Sequence, residues 1–250
     1  MWSNHINYYL DMRTHQLVLH WIEDQLSAGN LAVGGRLPAE RALAEQLKVS
    51  RTSVREAIRI LEAMGAVRSG VGSGPDAGTV VISDPTAALG SALRLHVATQ
   101  HLPVADIVQT RVLLESWAAA QARRDAPELE EAAALLAAMD VPEGIPVGEF
   151  LALDVRFHLA LANAAGNAVV SAMMGSLRES IQGYAAELTS HLPDWGATAS
   201  RLRTEHHAIL AAVRNGDGAR AAELVAAHIE GFYKEAGLGG DNPAQPGRGN

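Results

Sequence analysis

Apolar positions recur with helical spacing over residues 14–28, where Leu17, Ile22 and Leu26 can share one inward side and Gly29 supplies a stop. A short second helix is expected after Pro38, anchored by Leu43 and Leu47. Ser50 then suits the N-cap of a third helix, in which Val54, Ala57, Ile58 and Leu61 fall at i, i+3, i+4 and i+7 before Gly65 ends it. The pattern changes in AVRSGVGSGPDAGTVVIS, where two β-prone pieces near 66–71 and 79–82 flank a Gly/Pro/Asp turn. Three helices followed by a small β wing predict a winged helix-turn-helix over residues 14–83.

From Asp84 onward the reading is helical, with segments near 86–99, 104–124, 127–140, 148–165, 167–190, 198–215 and 218–236. Pro103, Pro127, Pro142 and Pro146 mark entries or breaks, and Gly216 separates the last two segments. Residues 86–236 are therefore expected to form a second, all-α domain, an antiparallel bundle of six or seven helices rather than an α/β enzyme core. The Gly- and Pro-rich residues 237–250 read as a frayed tail. The fold class is mainly α.

Charge alters this picture locally. The 250-residue chain has a formal net charge of -8, yet residues 1–80 carry eight Lys/Arg against eight Asp/Glu, so the acidity belongs to the C-terminal part. Seven basic side chains lie between Gly34 and Gly70. If Val54, Ile58 and Leu61 face a core, Arg51, Arg55 and Arg59 form a separate stripe that can meet phosphates or guanine edges in a major groove. Arg41 near the start of the second helix, with Thr52 and Ser53 in the first turn of the third, can approach the same polyanion. The competing reading of this stripe is an ordinary solvated helix face.

The order of elements favours the first reading, and a resemblance sharpens it. Gly34, Leu37-Pro38-x-Glu40-Arg41, Leu43-Ala44-Glu45, Val49-Ser50-Arg51, Val54-Arg55-Glu56-Ala57 and Leu61 closely resemble the winged-helix domain of the GntR transcription regulators. The resemblance implies DNA-contacting roles for Arg41, Arg51 and Arg55, assisted by Thr52 and Ser53, with Gly70, Gly72 and Gly74 in the wing.

The chain has no cysteine, which removes disulfides and thiolate metal sites. Its histidines and carboxylates carry the remaining chemistry. Asp154 and His158 share a helical face at a spacing of four. His206 stands ten residues before Gly216 and His228 twelve after it, or about 15 and 18 Å from the turn at roughly 1.5 Å per residue. In an antiparallel hairpin the two stand nearly level. Three histidines and one aspartate suit a divalent ion, zinc foremost, with nickel, cobalt or manganese as alternatives. Surface or hydrogen-bonded core histidines would give the same spacing, and adjacent His207 could replace His206.

Arg111-x3-Glu115, Asp154-x3-His158, Asn167, Glu205-His206-x2-Ile209, Gly216-Asp217 and His228 resemble the FCD domain of the FadR subfamily of GntR proteins. This likeness implies metal ligands at Asp154, His158, His206 and His228, preferring His206 over His207. It also implies a small organic acid above the metal, with Arg111 as carboxylate partner and Asn167 lining the cavity.

The function so implied is a homodimeric, sequence-specific repressor of palindromic operator DNA, released by the acid. A metalloenzyme with a DNA-binding appendage is the competing reading, with Glu115 and Glu205 as possible bases; a purely structural metal is another. No catalytic residue is expected. The N-terminus lacks the basic start and apolar core of a signal peptide, and the apolar runs are broken by charges. A soluble, cytoplasmic protein with no membrane partner is expected.

Overall fold

The computed structural model describes residues 13–70, 78–99, 101–141 and 144–237. Among these, ten helices and one two-stranded antiparallel sheet divide into two compact units, with the division at Leu89–Gly90. No helix among the described residues is long and apolar enough to cross a membrane.

The first unit contains α1 (Thr14–Ser27), α2 (Glu40–Leu47), α3 (Arg51–Ala63), β1 (Val67–Gly70) and β2 (Gly78–Val81). Helix α3 forms where the four-residue apolar repeat places it: Val54, Ala57, Ile58 and Leu61 are all buried. It packs against α1, α2 and β1. The inward side of α1 is set by Val18 and Ile22, with Leu26 packed against them; Ile22 and Leu26 stand where expected, whereas Leu17 is only half-buried and Val18 takes its place. Between α2 and α3 the chain turns through Lys48, which takes the left-handed conformation at φ 53°. Ser50 then caps α3 by accepting the Ser53 amide at 3.0 Å.

Two features of this unit were not foreseen. Arg36 forms a β-bridge with Val80, and the Leu37 amide donates to the Thr79 carbonyl at 2.8 Å, so the chain before α2 lies along β2 as a rudimentary third strand. Gly65 does more than end α3. Its φ is +68°, and a Cβ there would stand 1.9 Å from the Asp84 carbonyl oxygen, so only glycine admits this return of the chain. Gly72 and Gly74 lie outside the described residues, as does most of the tail from 238 on.

The second unit holds the rest of α4 (Pro85–Ala98), α5 (Val104–Gln121), α6 (Glu128–Met139), α7 (Val147–Ala164), α8 (Ala168–Thr189), α9 (Trp195–Arg214) and α10 (Gly218–Glu235). Helix α5 is central, packing against α7, α8, α9 and α10. The apolar core runs through Leu136, Phe157, Ile181, Ile209 and Ile229 from five different helices. Polar side chains buried on α5, α7, α8, α9 and α10 interrupt it: Arg111, Glu115, His158, Arg178, His206 and His228.

Candidate functional site

In the first unit the exposed side of α3 carries Arg51, Thr52, Arg55 and Arg59, while Ser53 is half-buried beside Ser50. Arg55 does not project freely: its Nε donates to Glu40 Oε2 at 2.8 Å, which ties α3 to the first residue of α2. That contact leaves both Nη groups of Arg55 for another acceptor and restricts where they point. Arg41 reaches Glu45 only loosely, at 3.7 Å, and both side chains are largely exposed. Isolated surface pairs of this kind contribute little to stability. Their interest lies in orienting the guanidinium groups.

The second unit brings Asp154, His158, His206 and His228 together, with one potential ligand atom from each lying within 4.8 Å of all the others. The i, i+4 pair on α7 supplies two of them, and the α9–α10 hairpin supplies the others at one level, with imidazole centroids 4.6 Å apart. His206 is fully buried, whereas His207 turns outward to Asp140 Oδ2 at 2.6 Å. Only the first of the adjacent pair faces the cluster.

The polar contacts around this quartet test whether a cation fits it. His158 Nδ1 lies 2.8 Å from Glu115 Oε2 and His228 Nδ1 lies 2.8 Å from Glu205 Oε2. A carboxylate accepts only, so the hydrogen-bond network assigns the proton of each ring to Nδ1 and leaves Nε2 as a lone pair. Those two Nε2 atoms face each other at 3.2 Å. Two acceptors in that position repel; a cation between them satisfies both. Neither ring nitrogen of His206 makes a well-formed hydrogen bond, and its Nε2 lies 3.1 Å from Asp154 Oδ1. The other Nε2 atoms lie 3.7 and 3.9 Å from the same oxygen. A tetrahedral zinc ion with bonds near 2.1 Å needs ligand separations of about 3.4 Å, so the quartet fits a divalent ion with small adjustments. Glu115 and Glu205 occupy the outer positions that orient metal-bound imidazoles. Neither is free to act as a general base.

Burial and charge set the protonation states. Burial pushes His158 down to about 3, with Arg178 adding to the effect and Glu115 opposing it. Burial by itself raises Glu115, but Arg178 and Arg111 outweigh it and hold the carboxyl well below its usual range. His206 is lowered as well, chiefly by burial. All three groups bind fewer protons when folded than when unfolded, so each stabilises the fold most at high pH. For His158 the stability present above its ordinary value of 6.5 is lost as pH falls towards about 3. The expected result for metal-free protein is a progressive loss of thermal stability as pH is lowered from 6.5, measured by calorimetry; a flat profile down to pH 4 would contradict it.

A cavity of about 60 Å³ adjoins the quartet at Asp154 and His228. Arg111 lines it, as the sequence suggested, and donates from Nε to Glu115 at 2.9 Å and from Nη1 to the Tyr233 hydroxyl at 2.7 Å. Arg178 also lines it and was missed. It spans Glu115 Oε1 at 3.1 Å, Glu115 Oε2 at 2.7 Å and Asp154 Oδ2 at 3.0 Å. A signal was available: Arg178 lies in register with the buried apolar positions Met174, Leu177 and Ile181. Asn167 stands apart from the cavity-lining residues. It is the exposed N-cap of α8, its side-chain oxygen accepting from the amides of Val169 and Val170.

Known proteins share both units. Residues 14–75 match the family of bacterial regulatory proteins named after gntR, and residues 106–231 match the FCD domain. The HTH-type transcriptional regulator LutR of Bacillus subtilis (strain 168) is 32% identical over 218 residues, covering 83% of this chain and 97% of that protein. The Uxu operon transcriptional regulator of Escherichia coli (strain K12) is 34% identical, covering 85% and 82%. The putative L-lactate dehydrogenase operon regulatory protein of the same strain is 30% identical, covering 80% and 77%. Among solved structures, a GntR protein of Streptococcus agalactiae matches with TM-score 0.57 and 25% identity, over 88% of this chain and 98% of that one. These relatives are transcription regulators, not enzymes. The chain belongs to the GntR family of DNA-binding transcription regulators, and its helical unit is an FCD domain.

Proposed function

We propose that the protein is a cytoplasmic, homodimeric repressor whose grip on a palindromic operator is relieved by a small organic acid held beside a divalent metal, zinc foremost. The observation that carries the effector half is the convergence of four ligand atoms at the wall of a cavity that Arg111 and Arg178 also line. Asp154, His158, His206 and His228 would hold the ion; when bound, it supplies positive charge for a carboxylate. Arg111 keeps both N–H groups of Nη2 for the same anion, because only its Nε and Nη1 are engaged. The name of one relative, the putative L-lactate dehydrogenase operon regulatory protein, is in keeping with regulation tied to an acid.

In the DNA-binding half, Arg51, Thr52, Ser53 and Arg55 at the start of α3 would meet one half-site, and Arg41 of α2 the adjoining backbone. A dimer presents two such helices to a palindrome. Four exposed apolar side chains favour pairing through the helical unit: Leu113 and Trp117 on α5, and Val169 and Met173 on α8, each pair one turn apart on helices that pack together. Release follows if the acid binds more tightly to the arrangement that DNA disfavours.

Selection of duplex DNA from a random library by the zinc-loaded protein tests the regulator reading. A palindromic site with two half-sites about one helical turn apart is expected. Recovery of no enriched sequence by folded, dimeric, metal-loaded protein would contradict it.

A further inference from the structure

The lining of the FCD cavity separates into two parts. Every charged or ligating member belongs to one interbonded group: Arg111 and Arg178 both contact Glu115, Arg178 also contacts Asp154, and His228 belongs to the quartet. Tyr233 joins this group through Arg111. The remaining lining residues are Leu151, Val155, Ile181, Ala185, Leu202, Ile229 and Phe232, with Gln182 as the one other polar side chain. Among the described residues, no cation other than Arg111 and Arg178 lines the cavity.

Charge within the group is balanced. Arg111 and Arg178 are offset by Glu115 and Asp154, all of them linked by hydrogen bonds or ion pairs of 2.7 to 3.1 Å. The imidazoles must be neutral to ligate a metal. The chain's own residues thus make a neutral end to the cavity, which gives a buried anion little to offset its lost hydration. A divalent ion in the quartet makes that end doubly positive.

Building on the effector reading above, we propose that the cavity takes a short aliphatic monocarboxylate and takes it only with the metal in place, rejecting dicarboxylates and polyhydroxylated sugar acids. The carboxylate meets the metal-bearing end, where Arg111 Nη2 and the Tyr233 hydroxyl proton remain to be used. A tail of a few carbons lies against the aliphatic wall. A second carboxylate would meet that wall with no cation to pair it. The hydroxyls of a sugar acid would find Gln182 and little else, and each one left unpaired on burial weakens binding by roughly tenfold. Thermodynamic linkage adds a reciprocal requirement: the acid must tighten metal binding by the factor by which the metal tightens acid binding.

Titration calorimetry of the full-length protein with lactate, butyrate, succinate and glucuronate tests this, using zinc-loaded and chelator-stripped samples. Lactate and butyrate are expected to bind the zinc-loaded protein at least tenfold more tightly than succinate or glucuronate, and stripped protein not measurably. Zinc competition against a chromophoric chelator supplies a second readout on protein that stays folded: zinc affinity should rise at least tenfold with saturating butyrate. Leu151→Gln, a change at a half-buried wall position, should weaken butyrate several-fold and narrow the gap to glucuronate. Glucuronate or succinate binding as tightly as butyrate overturns the ligand class. Unchanged zinc affinity with butyrate bound overturns the metal requirement. Zinc-loaded protein that binds none of the four acids overturns both, together with the effector reading on which they rest.

Discussion

Glu115→Ala is expected to cost the protein roughly 3–5 kcal/mol of stability, the range for removing one partner from a buried ion pair. Glu115 is 2% exposed and is the shared acceptor of Arg111, Arg178 and His158. Its removal leaves two guanidinium groups in the core with only Asp154 to offset them, and frees His158 from the contact that assigns its tautomer. Metal affinity should therefore fall about 10- to 100-fold as well, as it does when an outer carboxylate is taken from a metal-bound imidazole. Glu115→Gln preserves volume and one acceptor oxygen, so its loss should be smaller in both measurements. Urea denaturation of metal-free protein gives the first quantity and chelator competition the second. A stability loss below about 1 kcal/mol for the alanine variant would mean that the arginines find other partners, contrary to the geometry described.

Arg51→Ala and Arg55→Ala should each weaken binding to a selected operator, Arg55→Ala by roughly 10- to 100-fold, the cost of losing one good contact to a base, and Arg51→Ala by the smaller cost of losing one phosphate contact. Both side chains are exposed on α3 and neither belongs to its core, so thermal stability should hardly change. The two variants are expected to differ. Arg55 is held by Glu40, which suits a directed contact with a base edge, so its loss should relax sequence preference at one position. Arg51 has no comparable tether and begins the helix, which suits a phosphate; its loss should lower the salt slope by about one without changing preference. Fluorescence anisotropy across a salt series separates these outcomes. Near wild-type affinity in both variants would remove α3 as the reading element.

Much of this architecture was legible because local periodicity and caps dictate it. Val54, Ala57, Ile58 and Leu61 fix the inner face of α3, and the seven later helices follow the Pro and Gly punctuation within a few residues. The convergence of Asp154, His158, His206 and His228 was partly legible for a similar reason. Asp154 and His158 are a turn apart, and distance from Gly216 sets the level of His206 against His228. What escaped depends on partners distant in sequence. Arg178 reads as a surface charge until Glu115, 63 positions away, is seen to accept from its Nε and Nη2. Asn167 reads as a polar lining residue until its place at the start of α8 is seen to use its oxygen for capping. The bridge between Arg36 and Val80 joins a stretch with no strand-like alternation to β2, so no pattern in the earlier segment marks it. Gly65 ends a helix by composition, but its second role depends on Asp84, which folds back over it.

Control of operator binding from the metal-centred cavity is the central claim, and operator affinity of the zinc-loaded protein with and without a saturating short monocarboxylate tests it most directly. The account predicts weakening of at least tenfold by lactate or butyrate, abolished in His206→Ala protein that still folds and still binds the operator. Unchanged operator affinity, with zinc and the acid both shown to be bound, would contradict it and leave the quartet as a staple of the bundle.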